Sequence, residues 1–226
     1  MVNLDKNNIN FLIDFDSTFI KLESLEAISK ISLNNHLDKD KIIEKITSIT
    51  TQAMDGKISF ADALNFRVQL LQANKEHIVH TTKLIEKNIS SSFLENIELI
   101  KEHSSQYYIL SGGFREIIFP IVNKFGISYK NIYANDFVYN DNNIIGVNQS
   151  NILSKNLGKA IVANKITGTN FMIGDGYTDY EVKEKKSSKY FIQFIENINR
   201  KTLNSKADFI AQDFNDIIRY VKQLYG

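Results

Sequence analysis

Three short apolar runs in this chain end in the same way. INFLI (residues 9–13) runs into DFDST, YYIL (107–110) into SGG, and NFMI (170–173) into GDGYTD. A continuously apolar run of four or five residues, bounded by polar turn formers, reads as a strand buried on both faces, the pattern of a parallel sheet. Stretches with helical spacing separate the runs. Strands alternating with helices predict an α/β fold with a doubly wound, mostly parallel sheet. In such a sheet, ligands collect beyond the carboxyl ends of the strands. The three polar turns are therefore predicted to meet at one edge.

Between Leu22 and Lys87 no strand signal occurs. LESLEAISKI, DKDKIIEKITSIT, SFADALNFRVQLLQ and KEHIVHTTKLIEK carry apolar residues three and four apart, the spacing of one helical face. Asp38 and Ser59 are placed as N-caps. This pattern predicts a four-helix insertion over 20–87 that divides a core formed by 1–19 and 88–226. Further on, the spacing predicts a helix over about 92–103 and another from Phe114 to about Lys124. Pro120, the single proline, should kink or interrupt the second of these. A small β-hairpin is expected over 132–148, turning at NDNN, and a helix near Leu157. Strands are expected over 189–194 and 207–212, with FNDIIRYVKQLY as the closing helix.

Composition narrows the function. Of 226 residues 43% are hydrophobic, including 15 Phe and 10 Tyr, enough for a full core. The net charge of +1 comes without a basic cluster, which argues against a nucleic-acid surface. The absence of Cys excludes disulfides, thiol catalysis and Cys-ligated zinc. MVNLDKNNIN lacks the apolar stretch of a signal peptide, and no run approaches the ~20 residues of a membrane span. A soluble, cytoplasmic protein without nucleic-acid or membrane partners is expected. His77 and His80 sit at helical spacing, but only Glu76 shares their face, so a solvated or packed face is expected rather than zinc. Lys183, Lys185 and Lys186 predict an exposed helix.

Asp14 and Asp16 lie close enough to repel, which costs free energy unless a cation or a shared proton sits between them. Asp175 and Asp179 would join them at the sheet edge. An all-oxygen donor set favours a hard cation, Mg²⁺ in particular, held by Asp14 and Asp16 with Asp175 as a third ligand. Ser111, the Gly112 N–H and Lys159 would complete a site suited to phosphoryl transfer. Asp14 can attack phosphorus. Asp16 can protonate the leaving oxygen and then deprotonate water. Lys159, Ser111 and Gly112 can neutralise and bind the phosphoryl oxygens. Phosphate-monoester hydrolysis needs accelerations up to ~10²¹, whereas one general acid supplies ~10²–10⁴. Metal, nucleophile and cradle must act together. Lys155 lies nearby and competes with Lys159 for the lysine's role.

DFDST, SGGFR, the GK at 158–159 and IGDGYTD, in this order over nearly the whole chain, resemble the haloacid dehalogenase superfamily of phosphatases and, within it, the phosphoserine phosphatase family. The resemblance implies a Rossmann-like core with a helical-bundle cap inserted after the first strand. It implies that Asp14 is the nucleophile and Asp16 the acid/base. Both would touch Mg²⁺, Asp16 through its backbone carbonyl. Asp175 would complete the metal site, with Asp179 behind it, and Ser111, Gly112, Gly113, Lys159 and Thr178 would contact substrate. The family places a Glu nine residues after the nucleophile, and a Met, then a Phe six later, then an Arg seven after that. Glu23, Met54, Phe60 and Arg67 fit. Glu23 would take the substrate ammonium and Arg67 its carboxylate, which a guanidinium fork matches. On the residues alone, Glu23 and Arg67 also fit an exposed cap salt bridge, and Met54 and Phe60 a bundle core. Ala160 stands where the family often has Gly.

The expected activity is Mg²⁺-dependent hydrolysis of O-phosphoserine through an aspartyl-phosphate, the last step of serine biosynthesis. The alternative is a phosphatase or phosphotransferase for another small phosphomonoester. A receiver domain also gathers acids, a hydroxyl and a Lys, but it must keep its phosphoryl group, which Asp16 and the helical insertion argue against. For an inactive binding module, nothing in the motif set is missing.

Overall fold

The computed structural model describes residues 8–226. Residues 1–7, which carry most of the polar segment judged against a signal peptide and the start of the expected core, lie outside the described residues. Strand β1 (Ile9–Ile13) is buried at every position, as its unbroken apolar run requires. It pairs in parallel with β2 (Tyr107–Phe114) on one side and β6 (Thr169–Gly174) on the other. With β3 (Ile132–Asn135), β7 (Tyr190–Phe194) and β8 (Phe209–Ala211), the sheet order is β3-β2-β1-β6-β7-β8, and every pair is parallel. This is the mostly parallel α/β sheet the alternation predicts.

Register decides what each face carries, because side chains alternate along a strand. Tyr107, Phe11, Phe171 and Tyr190 fall in register across β2, β1, β6 and β7. Their rings lie 4.9, 6.1 and 4.6 Å apart in succession. The next position on each strand points the other way, and Leu12, Met172 and Phe191 join Leu110, Val162 and Val182 in a second core. Each fully buried side chain of this size stabilises by ~1.5–3 kcal/mol. Phe11→Ala would break the aromatic row at its centre.

Four helices occupy the segment between β1 and the rest of the sheet: α1 (Ser24–Ser32), α2 (Lys39–Met54), α3 (Phe60–Leu70) and α4 (Lys75–Glu86). Ser59 caps α3, its hydroxyl accepting the Asp62 N–H. Asp38 precedes α2, but its side chain makes no capping bond. His77 is spent in a reciprocal cap: Asn74 accepts the His77 N–H, and His77 Nδ1 accepts the Asn74 N–H. His80 is exposed.

The expected helix over 92–103 is two, α5 (Ser91–Glu95) and α6 (Ile97–Glu102). They part at Asn96, whose amide bonds the Ser92 carbonyl and Asn215. Helix α7 (Arg115–Val122) is not interrupted at Pro120; it ends two residues later in a 3₁₀ turn. The hairpin is shorter than expected. Residues 132–135 form edge strand β3, and only β4 (Phe137–Asn140) and β5 (Asn143–Val147) pair antiparallel, with Asp141 in the left-handed region (φ 52°) at the turn. Helices α8 (Gly158–Ala163), α9 (Tyr177–Glu184) and α10 (Phe214–Tyr225) complete the fold. Of the lysine run, Lys185 and Lys186 are exposed; Lys183 is half-buried and bonds both oxygens of Asp208. Among the described residues, no helix is long and apolar enough to cross a membrane.

Candidate active site

The site grows from the carboxyl ends of β1, β2 and β6. The Asp14 N–H donates to the Ile173 carbonyl at 2.9 Å, which carries the β1–β6 pairing one residue past the strand and sets Asp14 beside Gly174 and Asp175. The chain then makes a wide turn over Phe15–Phe19, with Asp16 extended and Ser17 left-handed (φ 55°). That turn brings Asp16 to the start of α1, where its carboxylate accepts the Ser24 N–H and the Ser24 hydroxyl, each at 2.9 Å. Burial raises Asp16 well above the ordinary carboxylate range, aided by the charges of Glu23 and Asp14 and opposed by Ser24.

Lys159 approaches from the first turn of α8. Leu157 precedes it in the left-handed region (φ 60°), and a side chain at Gly158 would meet the Ile152 carbonyl at 2.4 Å. The buried Lys159 ammonium donates to Asp14 Oδ1 and to Asp179 Oδ1, both at 2.7 Å. Burial disfavours its charge, but those two carboxylates outweigh burial and push it above its ordinary value. Asp179 also accepts the Gly176 N–H at 3.0 Å and packs so tightly on Gly174 that a Cβ there would lie 2.2 Å from its carboxyl. Burial, against the pull of Lys159, pushes Asp179 up to about 8. Burial, against the pull of Arg200, pushes Asp175 up to about 7.

Carboxylate oxygens of Asp14, Asp175 and Asp179 lie within 4.8 Å of one another and could hold a metal ion. The chemistry fits a hard divalent cation. Five carboxylates (Asp14, Asp16, Glu23, Asp175 and Asp179) share the site with three cationic side chains (Lys159, Arg200 and Arg67). When all are ionised, two negative charges remain uncompensated. The Asp16 carboxylate itself turns to Ser24 rather than into this cluster.

Beside the acids lies a narrow recess lined by Glu23, Leu25, Met54, Phe60, Arg67, Ser111, Gly112, Gly113, Lys159 and Thr178, together with Asp14 and Asp16. The glycines make room for it. A Cβ at Gly112 would lie 2.5 Å from the Phe60 ring, and one at Gly113 would lie 3.2–3.3 Å from the Ser111 hydroxyl and Asp16. Met54 packs on Gly176. Arg67 is only 4% exposed. Its guanidinium donates to Thr50 Oγ1 and to the Ala63 carbonyl. Burial lowers its pKa, and Glu23, Asp16 and Glu26 oppose the shift from beyond ion-pair range. Among the described residues no carboxylate lies within 4.0 Å of it, so the exposed salt bridge with Glu23 is not formed. Glu23 instead accepts the Ser17 hydroxyl at 2.7 Å. Burial raises its pKa, opposed by Ser17, Arg67 and Arg200.

All the site residues expected from the sequence therefore border one recess or the acidic cluster beside it. Lys155 does not; it is exposed and bonds Gln149. Sequence reasoning missed Arg200, which donates to Asp175 Oδ2 at 2.7 Å and lies 3.8 Å from Glu23. It also missed Asn197, whose amide donates to the carbonyls of Ser17, Thr18 and Ile20 and so ties the DFDST turn in place. Both follow β7, a fourth strand ending at the same edge, and that position was the signal available.

No family model matches the chain. It is 28% identical to the phosphoserine phosphatase of Methanocaldococcus jannaschii over 97% of this chain and all of that protein. Among solved structures, a phosphoserine phosphohydrolase-like protein from Francisella tularensis superposes with a TM-score of 0.86 at 29% identity, covering 94% of this chain and 99% of that one. A phosphoserine phosphatase solved as a phospho-aspartyl intermediate analogue superposes at 0.77 with 26% identity, covering 95% and 99%. The fold and the strand-end acids are like those of the haloacid dehalogenase class of phosphatases, and the chain is similar to enzymes of that class. Within it, the chain resembles the phosphoserine phosphatases.

Proposed function

We propose that this enzyme hydrolyses O-phosphoserine to serine and phosphate, the last step of serine biosynthesis, in the cytoplasm. Residues 1–19 and 88–226 would form the catalytic core, and 20–87 a cap that selects the substrate. One observation carries the substrate: Arg67 is buried without a carboxylate partner, across a recess from Glu23. A buried unpaired cation is costly. A zwitterionic amino acid would supply a carboxylate for Arg67 and an ammonium for Glu23, and Asp14 would then meet its phosphoryl group.

With Lys159 holding Asp14 Oδ1, Asp14 Oδ2 is left to attack phosphorus. The Asp14–phosphorus bond forms as the bond from phosphorus to the seryl oxygen breaks, and Asp16 gives that oxygen its proton. The raised pKa of Asp16 suits an acid. Once serine leaves, Asp16 takes a proton from water as the water attacks phosphorus and frees Asp14. Ser111 and the Gly112 and Gly113 backbone would cradle the phosphoryl oxygens, with Thr178 alongside. Mg²⁺, held by Asp14, Asp175 and the Asp16 carbonyl with Asp179 behind them, would supply further neutralisation of phosphoryl charge. The test is phosphate release from phosphoserine, phosphothreonine and a sugar phosphate, with Mg²⁺ and with EDTA. Preference for phosphoserine and loss of turnover in EDTA are expected. Equal turnover of the sugar phosphate would overturn the substrate, and full activity in EDTA would overturn the metal.

A further inference from the structure

We infer that the loop 148–157 positions helix α3 over the active site through Asn156. The loop belongs to the core. Asn151 ties it to the edge of the sheet, its amide donating to the Ala134 carbonyl and Asp136 at 2.8 Å each. The Asn135 amide donates to the Leu153 carbonyl. Leu157 holds a left-handed conformation, strained for a residue with a branched side chain, and Gly158 abuts Ile152. An arm fastened in this way has little freedom of its own.

Its outer side reaches the helical segment. Asn156 Oδ1 accepts the Ala61 N–H at 3.0 Å, and the Gln149 amide donates to Asn65 Oδ1 at 2.9 Å. Lys155 braces Gln149 at 2.7 Å, which gives the second candidate lysine a place outside the catalytic centre. The first N–H groups of a helix have no partner within it. Helix α3 thus has two caps: its own Ser59 for Asp62, and Asn156 of the core for Ala61. The same helix carries Phe60, whose ring lies on Gly112, and Arg67. Setting its first turn against the core sets both over the site. Asn156 is a positioning residue and touches no substrate.

The inference rests on the proposed function only for its kinetic readout. Hydrogen exchange of the intact protein without substrate provides an independent one. Asn156→Ala should speed exchange in α3 roughly 2- to 10-fold, the worth of one exposed hydrogen bond, and leave β1 and β6 unchanged. It should raise KM for phosphoserine by a similar factor and change kcat less than about twofold. Asn156→Asp keeps the acceptor at a helix N-terminus, where negative charge is favourable, and should restore both. Unchanged α3 exchange in Asn156→Ala would overturn the inference. So would faster exchange spread over β1 and β6, or an Asn156→Asp variant as impaired as Asn156→Ala. Changed α3 exchange in a protein that does not turn over phosphoserine would uphold Asn156 and reject the substrate.

Discussion

The charges at the sheet edge and the charges brought by the helical segment are organised in opposite ways. At the edge, Lys159 joins Asp14 and Asp179, and Arg200 joins Asp175. In the helical segment, Arg67 is just as buried but has only a hydroxyl and a carbonyl of its own helices. Paired groups are preorganised, and a developing charge needs groups that are already in position. An unpaired buried cation is incomplete until something else arrives. The first arrangement suits a reaction common to many phosphomonoesters, and the second suits the choice among them.

The largest effect expected is at the edge. Asp14→Asn should lower turnover of phosphoserine and of p-nitrophenyl phosphate alike by more than about a thousandfold, since an amide cannot form the acyl phosphate; full activity on either ester would remove Asp14 as nucleophile. Pairing itself can be tested by denaturant unfolding at pH 7.5. Lys159→Met leaves buried carboxylates without their cation and should cost about 3–5 kcal/mol, whereas Arg67→Met should change stability by less than about 1 kcal/mol or raise it. Equal losses would erase the distinction between the two regions.

Arg67→Ala sharpens it on the side of selection. Losing one partner of a desolvated charge pair costs ~2–5 kcal/mol, so kcat/KM for phosphoserine should fall roughly 30-fold or more. Hydrolysis of p-nitrophenyl phosphate, which has no carboxylate, should barely change. Intact phosphoserine turnover would make Arg67 a packing residue.

The smallest effect concerns pH. Asp175 is raised from 3.8 to about 7, and Asp179 to about 8. A folded-state pKa above the unfolded one gives stability that is present below the ordinary value and lost as pH climbs through the raised one. The Tm of the metal-free protein should therefore fall by a few degrees between pH 5 and 8.5. Added Mg²⁺, which competes with those protons, should raise Tm more at pH 8 than at pH 6. A metal-free Tm that rises over this range would contradict the direction of both shifts.

What could be read beforehand follows from how each element is exposed. Strands β1, β2 and β6 announce themselves because burial on both faces demands unbroken apolar runs, and the acids that follow β1 and β6, with the SGG turn of β2, mark the site. Beyond its place after β7, the Arg200 contact was not legible, since 195–208 has no strand or helix period, only a 3₁₀ turn at Lys201–Leu203, and one of its two partners, Glu23, comes from the far end of the chain. Edge strand β3 is four residues long, and its signal merged with that of the hairpin that follows. Lys155 and Lys159 are alike in sequence; which one is buried depends on the turn at Leu157, a conformation that leucine does not advertise.

The central position of β1 also governs how the chain must acquire its structure. Phe11 is made before its neighbours in the sheet, Tyr107 and Phe171, which follow it by 96 and 160 residues. Until both are available, INFLI has no strand to pair with, while α1–α4 can form from local contacts alone. Long-range parallel pairing of this kind slows folding and leaves an apolar, β-prone segment waiting. The segment that ends in Asp14 and Asp16 is, on this account, the one most in need of protection on the ribosome.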